Sequence, residues 1–224
     1  MNFMMKKISK AAVFCTAAVM SMTSFAAMPA PEKLESLLEP IQSWSADFKQ
    51  QVLSGDGKPM QALEGHLSLL KPLQFDWKTY APYPQVVISN GNDLWIYDED
   101  LEQVVIRPID QELIPMPAAI LSGEQLELLA EHFEVTYLDK DGYAVDPAVT
   151  ELFQLKPKDL NRNGDFETLQ LGFAKGQLKQ LSLYDALGQV THLVFEKQEL
   201  NPKLKKSLFE FDMPPGIDVI DERQ

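Results

Sequence analysis

The chain has 224 residues, 24% of them charged, and a formal net charge of −13. That excess of carboxylates repels phosphate backbones and anionic bilayers, which weighs against nucleic-acid binding and passive membrane association. One cysteine, Cys15, is too few for an intramolecular disulfide or a cysteine metal cluster.

The N-terminus reads as an export signal. Lys6, Lys7 and Lys10 precede an apolar run from Ala11 to Thr23, too short to span a bilayer. Ser24 and Ala26 then supply small residues at the −3 and −1 positions of a cleavage site. Residues 1–26 are therefore expected to be removed, leaving 27–224 as a single domain. Cys15 follows Phe14 inside the apolar run, where a lipoprotein signal needs a small residue, so no lipid anchor is expected. Losing three lysines leaves 17 basic against 33 acidic residues, a net charge of −16.

Beyond the signal, Glu32 to Gln42 carries Leu34, Leu37, Leu38 and Ile41 at helical spacing. From Trp44 the period becomes two: Trp44, Ala46 and Phe48 share one face, opposite Ser45, Asp47 and Lys49. Leu63, Gly65, Leu67 and Leu69 alternate in the same way, and Leu73, Phe75 and Trp77 stand opposite Gln74, Asp76 and Lys78. Val86 to Ser89 and Leu94 to Tyr97 flank Asn90 and Gly91, a hairpin signal. A strand at 102–107, a proline-punctuated stretch from Ile114 to Ser122 and a helix at 124–131 follow. Strands are then expected at 133–138, 152–156, 166–173, 177–184, 189–197 and 208–212. The sum is a mainly β chain, one antiparallel sheet that must curl to bury its apolar face, plugged by short helices.

No residue set reads as catalytic. His66 falls on the polar face of its strand, His132 ends a helical run, and His192 alternates with Val190 and Val194. None has metal-ligand spacing, and no nucleophile elbow is present. The run from Asp159 through Asn161, Asn163 and Gly164 approaches a calcium loop, but Gln170 stands where a bidentate glutamate is required. Its flanks read as strands, so a plain inter-strand loop is expected. Accordingly no metal, cofactor or enzymatic activity is expected. Taken alone, the apolar strand positions favour a filled core over a cavity.

The order of motifs alters that balance. Trp44 to Gln50 is followed by Lys71 and Pro72, then Phe75, Trp77, Pro84 and Gln85. Ser89, Gly91, Leu94, Trp95, Tyr97 and Asp98 come next, then Leu101 to Val104, Pro117 to Leu121, and Phe153, Leu155 and Pro157. Asp185, Gly188 and Gln189 precede a closing Phe209, Phe211, Pro214, Gly216 and Asp218. Together these resemble LolA, the family of periplasmic lipoprotein carriers, across nearly the whole mature chain. The resemblance implies an unclosed half-barrel, with short helices as a lid over an apolar cavity. It implies a monomer that takes triacylated lipoproteins from an inner-membrane ABC-type release complex (LolCDE-like) and passes them to an outer-membrane receptor (LolB-like). On that reading the cavity is lined by Phe48, Leu69, Phe75, Trp77, Ile88 and Trp95, with Ile120 and Leu121 in the lid. Where the family places an arginine latch, this chain has Lys71, a point donor in place of a five-donor fork. Two other readings share the features: a periplasmic lipid-binding sensor or interaction domain on the same half-barrel, and a periplasmic hydrolase.

Overall fold

The computed structural model describes residues 28–109, 121, 129–140, 143, 146–159 and 166–223. The expected signal, Ile120, and most of the expected lid stretch and asparagine-rich loop lie outside them. After α1 (Ala30–Leu38) come β1 (Ser43–Leu53), β2 (Pro59–Leu70), β3 (Gln74–Thr79), β4 (Gln85–Asn90), β5 (Asp93–Asp98) and β6 (Gln103–Pro108). Helix α2 (Leu129–His132) leads to β7 (Phe133–Tyr137), β8 (Glu151–Pro157), β9 (Thr168–Ala174), β10 (Gln177–Tyr184), β11 (Val190–Leu200) and β12 (Asp218–Asp221). The strands form one sheet in the order β12-β6-β5-β4-β3-β2-β1-β11-β10-β9-β8-β7, whose end strands do not pair with each other. The curved sheet is therefore unclosed.

Helix α1 is shorter than its apolar pattern: it starts with Ala30 and Pro31 at its first positions, Pro being suited to N1, and ends at Leu38, two residues before Pro40. Its buried face, Ala30, Leu34 and Leu38, joins the main core. The sheet contributes Trp44, Ala46 and Phe48 from β1, Leu67 and Leu69 from β2, and Phe75 and Trp77 from β3. The far half adds Phe153, Leu155, Leu169, Leu171, Phe173, Leu181, Leu193 and Phe195. Cross-strand register confirms one face: Phe48 pairs with Phe195 and Gly65, and Leu67 with Trp77. Gly65 lets the Phe48 ring cross β2. A Cβ there would strike that ring and the Lys78 carbonyl oxygen. Phe48 thus reaches Trp77 on β3, ring centroids 4.5 Å apart.

The convex face is less polar than its alternation suggests. Asp76 pairs with Ile88, Ile88 with Trp95, and Trp95 with Ile106. The C-terminal segment covers this row. Residues 208–212, expected as a strand, instead hold a 3-10 turn (Lys206–Phe209) and irregular chain, with Phe209 fully buried. Phe211 packs on Tyr97 at 5.5 Å. The last described strand is β12, and it runs parallel to β6, the one exception among the described strands to the expected antiparallel order.

Candidate functional site

A cavity of about 680 Å³ opens on the concave face, at the end of the sheet where β1, β3, β5 and β10 finish. Its apolar wall is Leu63, Trp77, Val87, Leu181, Leu183 and Leu193. Gln50, Gln61, Thr79, Gln85 and Thr191 interrupt that wall, and Tyr83, Pro84, Asp98, Asp100 and Leu101 stand at the mouth. Tyr83 and Leu101 are exposed apolar groups, on the turns after β3 and β5. These turns are short, so the rim is rigidly tied to the strands: Thr79 Oγ1 donates to the Tyr83 carbonyl at 2.9 Å, and the Leu101 amide donates to Asp98 Oδ1 at 3.0 Å.

The expected lining residues separate into three groups. Trp77 faces the cavity. Phe48, Leu69, Phe75 and Leu121 are packed in the adjoining core, each at most 1% exposed. Ile88 and Trp95 require correction: their register with Asp76 puts them on the convex face, away from the cavity. The reason is parity, since Val86, Val87 and Ile88 are apolar in succession and only strand pairing decides which one faces inward. Val87 does, opposite Trp77. Sequence reasoning missed Leu181, Leu183 and Leu193 as a wall. Their alternation across the Leu187–Gly188 turn was the available signal.

Lys71 sits half-buried just after β2. Its Nζ donates to the Leu38 carbonyl at 3.2 Å and its amide donates to the Gln42 carbonyl at 2.9 Å. Leu38 is the last residue of α1, where carbonyls lack intrahelical donors and a cation is favoured. Burial pushes the Lys71 ammonium down from the usual lysine value, with Glu39 partly opposing it.

The polar clusters of the convex face are linked by local bonds. His66 Nδ1 lies 2.8 Å from Asp47 Oδ1 and its Nε2 3.0 Å from Ser45 Oγ; Lys197 also holds Asp47. Lys197 first, and His66 second, keep the Asp47 carboxyl below its ordinary value. Asp76, buried beneath the C-terminal segment, accepts from Lys78 through Oδ2 at 2.8 Å. His192 meets Ser182 Oγ at 2.8 Å, and burial lowers its pKa. Among the described residues no group of three metal-ligating side chains occurs, and no helix is long and apolar enough to cross a membrane.

Comparison with known proteins converges on one family. Residues 39–212 match the family model described as outer membrane lipoprotein carrier protein LolA. The outer-membrane lipoprotein carrier protein of Pseudomonas aeruginosa (strain UCBPP-PA14) is 41% identical over 193 residues, covering 86% of this chain and 88% of that one. Its counterpart in Chromohalobacter salexigens is 41% identical over 191 residues, with 85% and 86% covered. The Azotobacter vinelandii protein is 38% identical over 210 residues, with 91% and 97% covered.

Proposed function

Because this chain belongs to the LolA family of outer membrane lipoprotein carrier proteins, we propose that it shelters lipoprotein acyl chains during their passage from the inner to the outer membrane. The observation that carries this reading is the leucine-walled cavity on the concave face, continuous with a greasy core. Burying acyl chains is worth roughly 0.8 kcal/mol per CH₂, so a lipoprotein in water would otherwise aggregate or reinsert. The protein works by shielding, and its site carries out no bond chemistry. The compartment is the periplasm, reached through the signal at residues 1–26.

Acyl chains enter at the Tyr83 and Leu101 rim and lie along Leu63, Trp77, Leu183 and Leu193. Phe48, Leu69, Phe75 and Leu121, together with Ile120 of the expected lid stretch, take up the remaining hydrocarbon when the core opens. The donor is an inner-membrane ABC-type release complex (LolCDE-like) and the acceptor an outer-membrane receptor (LolB-like). Lys71 holds α1 against the barrel in the empty state.

Loading of purified protein with a tripalmitoyl-cysteine peptide tests the reading. Leu183 is only partly buried, so Leu183→Glu should fold with an unchanged β spectrum and lose loading. Normal loading by that folded variant would overturn the assignment of this cavity.

A further inference from the structure

Polar groups occupy ordered positions in the cavity wall. Across β10, β11, β1 and β2 one inward row runs Leu181, Leu193, Gln50, Leu63. A carboxamide therefore interrupts a row otherwise built of leucine. The next row toward the mouth runs Leu183, Thr191, Val52, Gln61. Gln50, Gln61 and Thr191 all line the cavity and are half-buried. Among the described residues their side chains make no hydrogen bond. One row deeper than Gln50 the wall becomes Phe48 and Phe195.

The polar atoms of Gln50, Gln61 and Thr191 are open to solvent in the empty cavity, and plain hydrocarbon lying over them would bury them without partners, a cost that leucine at the same place would not carry. A wall shaped for hydrocarbon alone would continue the leucine row. The gradient, polar near the mouth and aromatic within, also matches an amphiphile entering tails first. We infer that Gln50, with Gln61 and Thr191 beside it, hydrogen-bonds the ester and amide carbonyls where acyl chains join their head group. The cavity then selects carboxyl-linked chains over ether-linked chains of equal length. The inference rests on the acyl-carrier reading above and deepens it. The Gln50 carboxamide and the Thr191 hydroxyl donate to carbonyl oxygens that an ether lacks. A site built to hydrogen-bond a group rejects an analogue without it, because its own polar atoms are left unpaired.

The test uses the full mature protein and two neutral probes: a peptide bearing S-(dipalmitoyl-glyceryl)-cysteine, and its di-hexadecyl ether counterpart. Binding is followed through the change in tryptophan fluorescence, of the three tryptophans Trp77 alone lining the cavity. Wild type should prefer the ester by about three- to ten-fold for each hydrogen bond formed. Gln50→Met and Thr191→Val should each lose part of the preference, Gln50→Met the larger part, by weaker ester binding and ether binding that is no weaker than in wild type. If wild type binds both probes equally, the inference falls and the carrier reading stands. If neither probe binds, the carrier reading falls with it. An ester preference that survives unchanged in both folded variants would overturn the assignment to these residues.

Discussion

Lys71 shows how one side chain joins two elements. Its ammonium sits on the last carbonyl of α1, partly desolvated, donating to one carbonyl where a guanidinium could reach two. The bond and the burial cost oppose each other, so Lys71→Leu should alter stability by no more than about 1 kcal/mol. If Lys71 is the latch proposed above, its effect lies in transfer: that variant should load normally and release cargo to the proposed outer-membrane receptor more slowly, while Lys71→Arg should transfer at least as fast as wild type. Equal transfer rates for Lys71→Leu and wild type would place the latch elsewhere. His192 offers a second test, in pH. Burial depresses its folded pKa below the unfolded value near 6.5, so the unfolded chain binds the extra proton first. Its contribution is complete above about pH 6.5 and falls as the pH drops toward the folded pKa. Urea midpoints measured from pH 7.5 to 5 should decline more gently in His192→Gln than in wild type. Parallel curves would show that His192 does not titrate on unfolding.

The C-terminal segment turns a solvent-facing sheet surface into a second, smaller core. Phe209 fills it, packing over β3 and β4, and Asn201 fastens its start by accepting from the Gln42 and Ser43 amides and donating to the Pro40 carbonyl. Phe209→Ala should cost about 3 kcal/mol, the lower end for a buried phenylalanine, because the site lies at the margin of the molecule. Denaturant unfolding measures it; a loss below 1 kcal/mol would mean that the segment detaches without consequence. This segment also explains what the sequence could and could not convey. Trp44, Ala46 and Phe48 were legible because strict alternation coincided with burial on one face alone. Ile88 and Trp95 were not, because the cover on their face comes from a segment more than a hundred residues away. The alternation of Leu208 to Asp212 imitates a strand, yet those residues plug a surface. Asp218 to Asp221, acidic at both ends and exposed along its length, pairs along the edge that β6 offers.

The molecule as a unit combines a strongly acidic exterior with a greasy interior. The net charge of −16 expected after export keeps a protein with hidden apolar cargo dispersed. Loading must enlarge a 680 Å³ space, a volume typical of sites for one drug-sized ligand. Three acyl chains need more. On loading, the radius of gyration in solution scattering should rise while amide exchange in the central ladders β1–β2 and β1–β11 stays as slow as in the empty protein. Faster exchange there would show that cargo enters by breaking the sheet.

That expectation follows from the missing bond between β7 and β12. In a closed barrel the strand count and stagger fix the girth, and no ligand can change it without severing a ladder. Here, among the described strands, the circumference has two ends that do not meet. The sheet can uncoil like a split ring, each ladder twisting by a little and none giving way. Capacity is thereby separated from backbone integrity: the same strands can fit a slender cargo or a bulky one with every ladder kept.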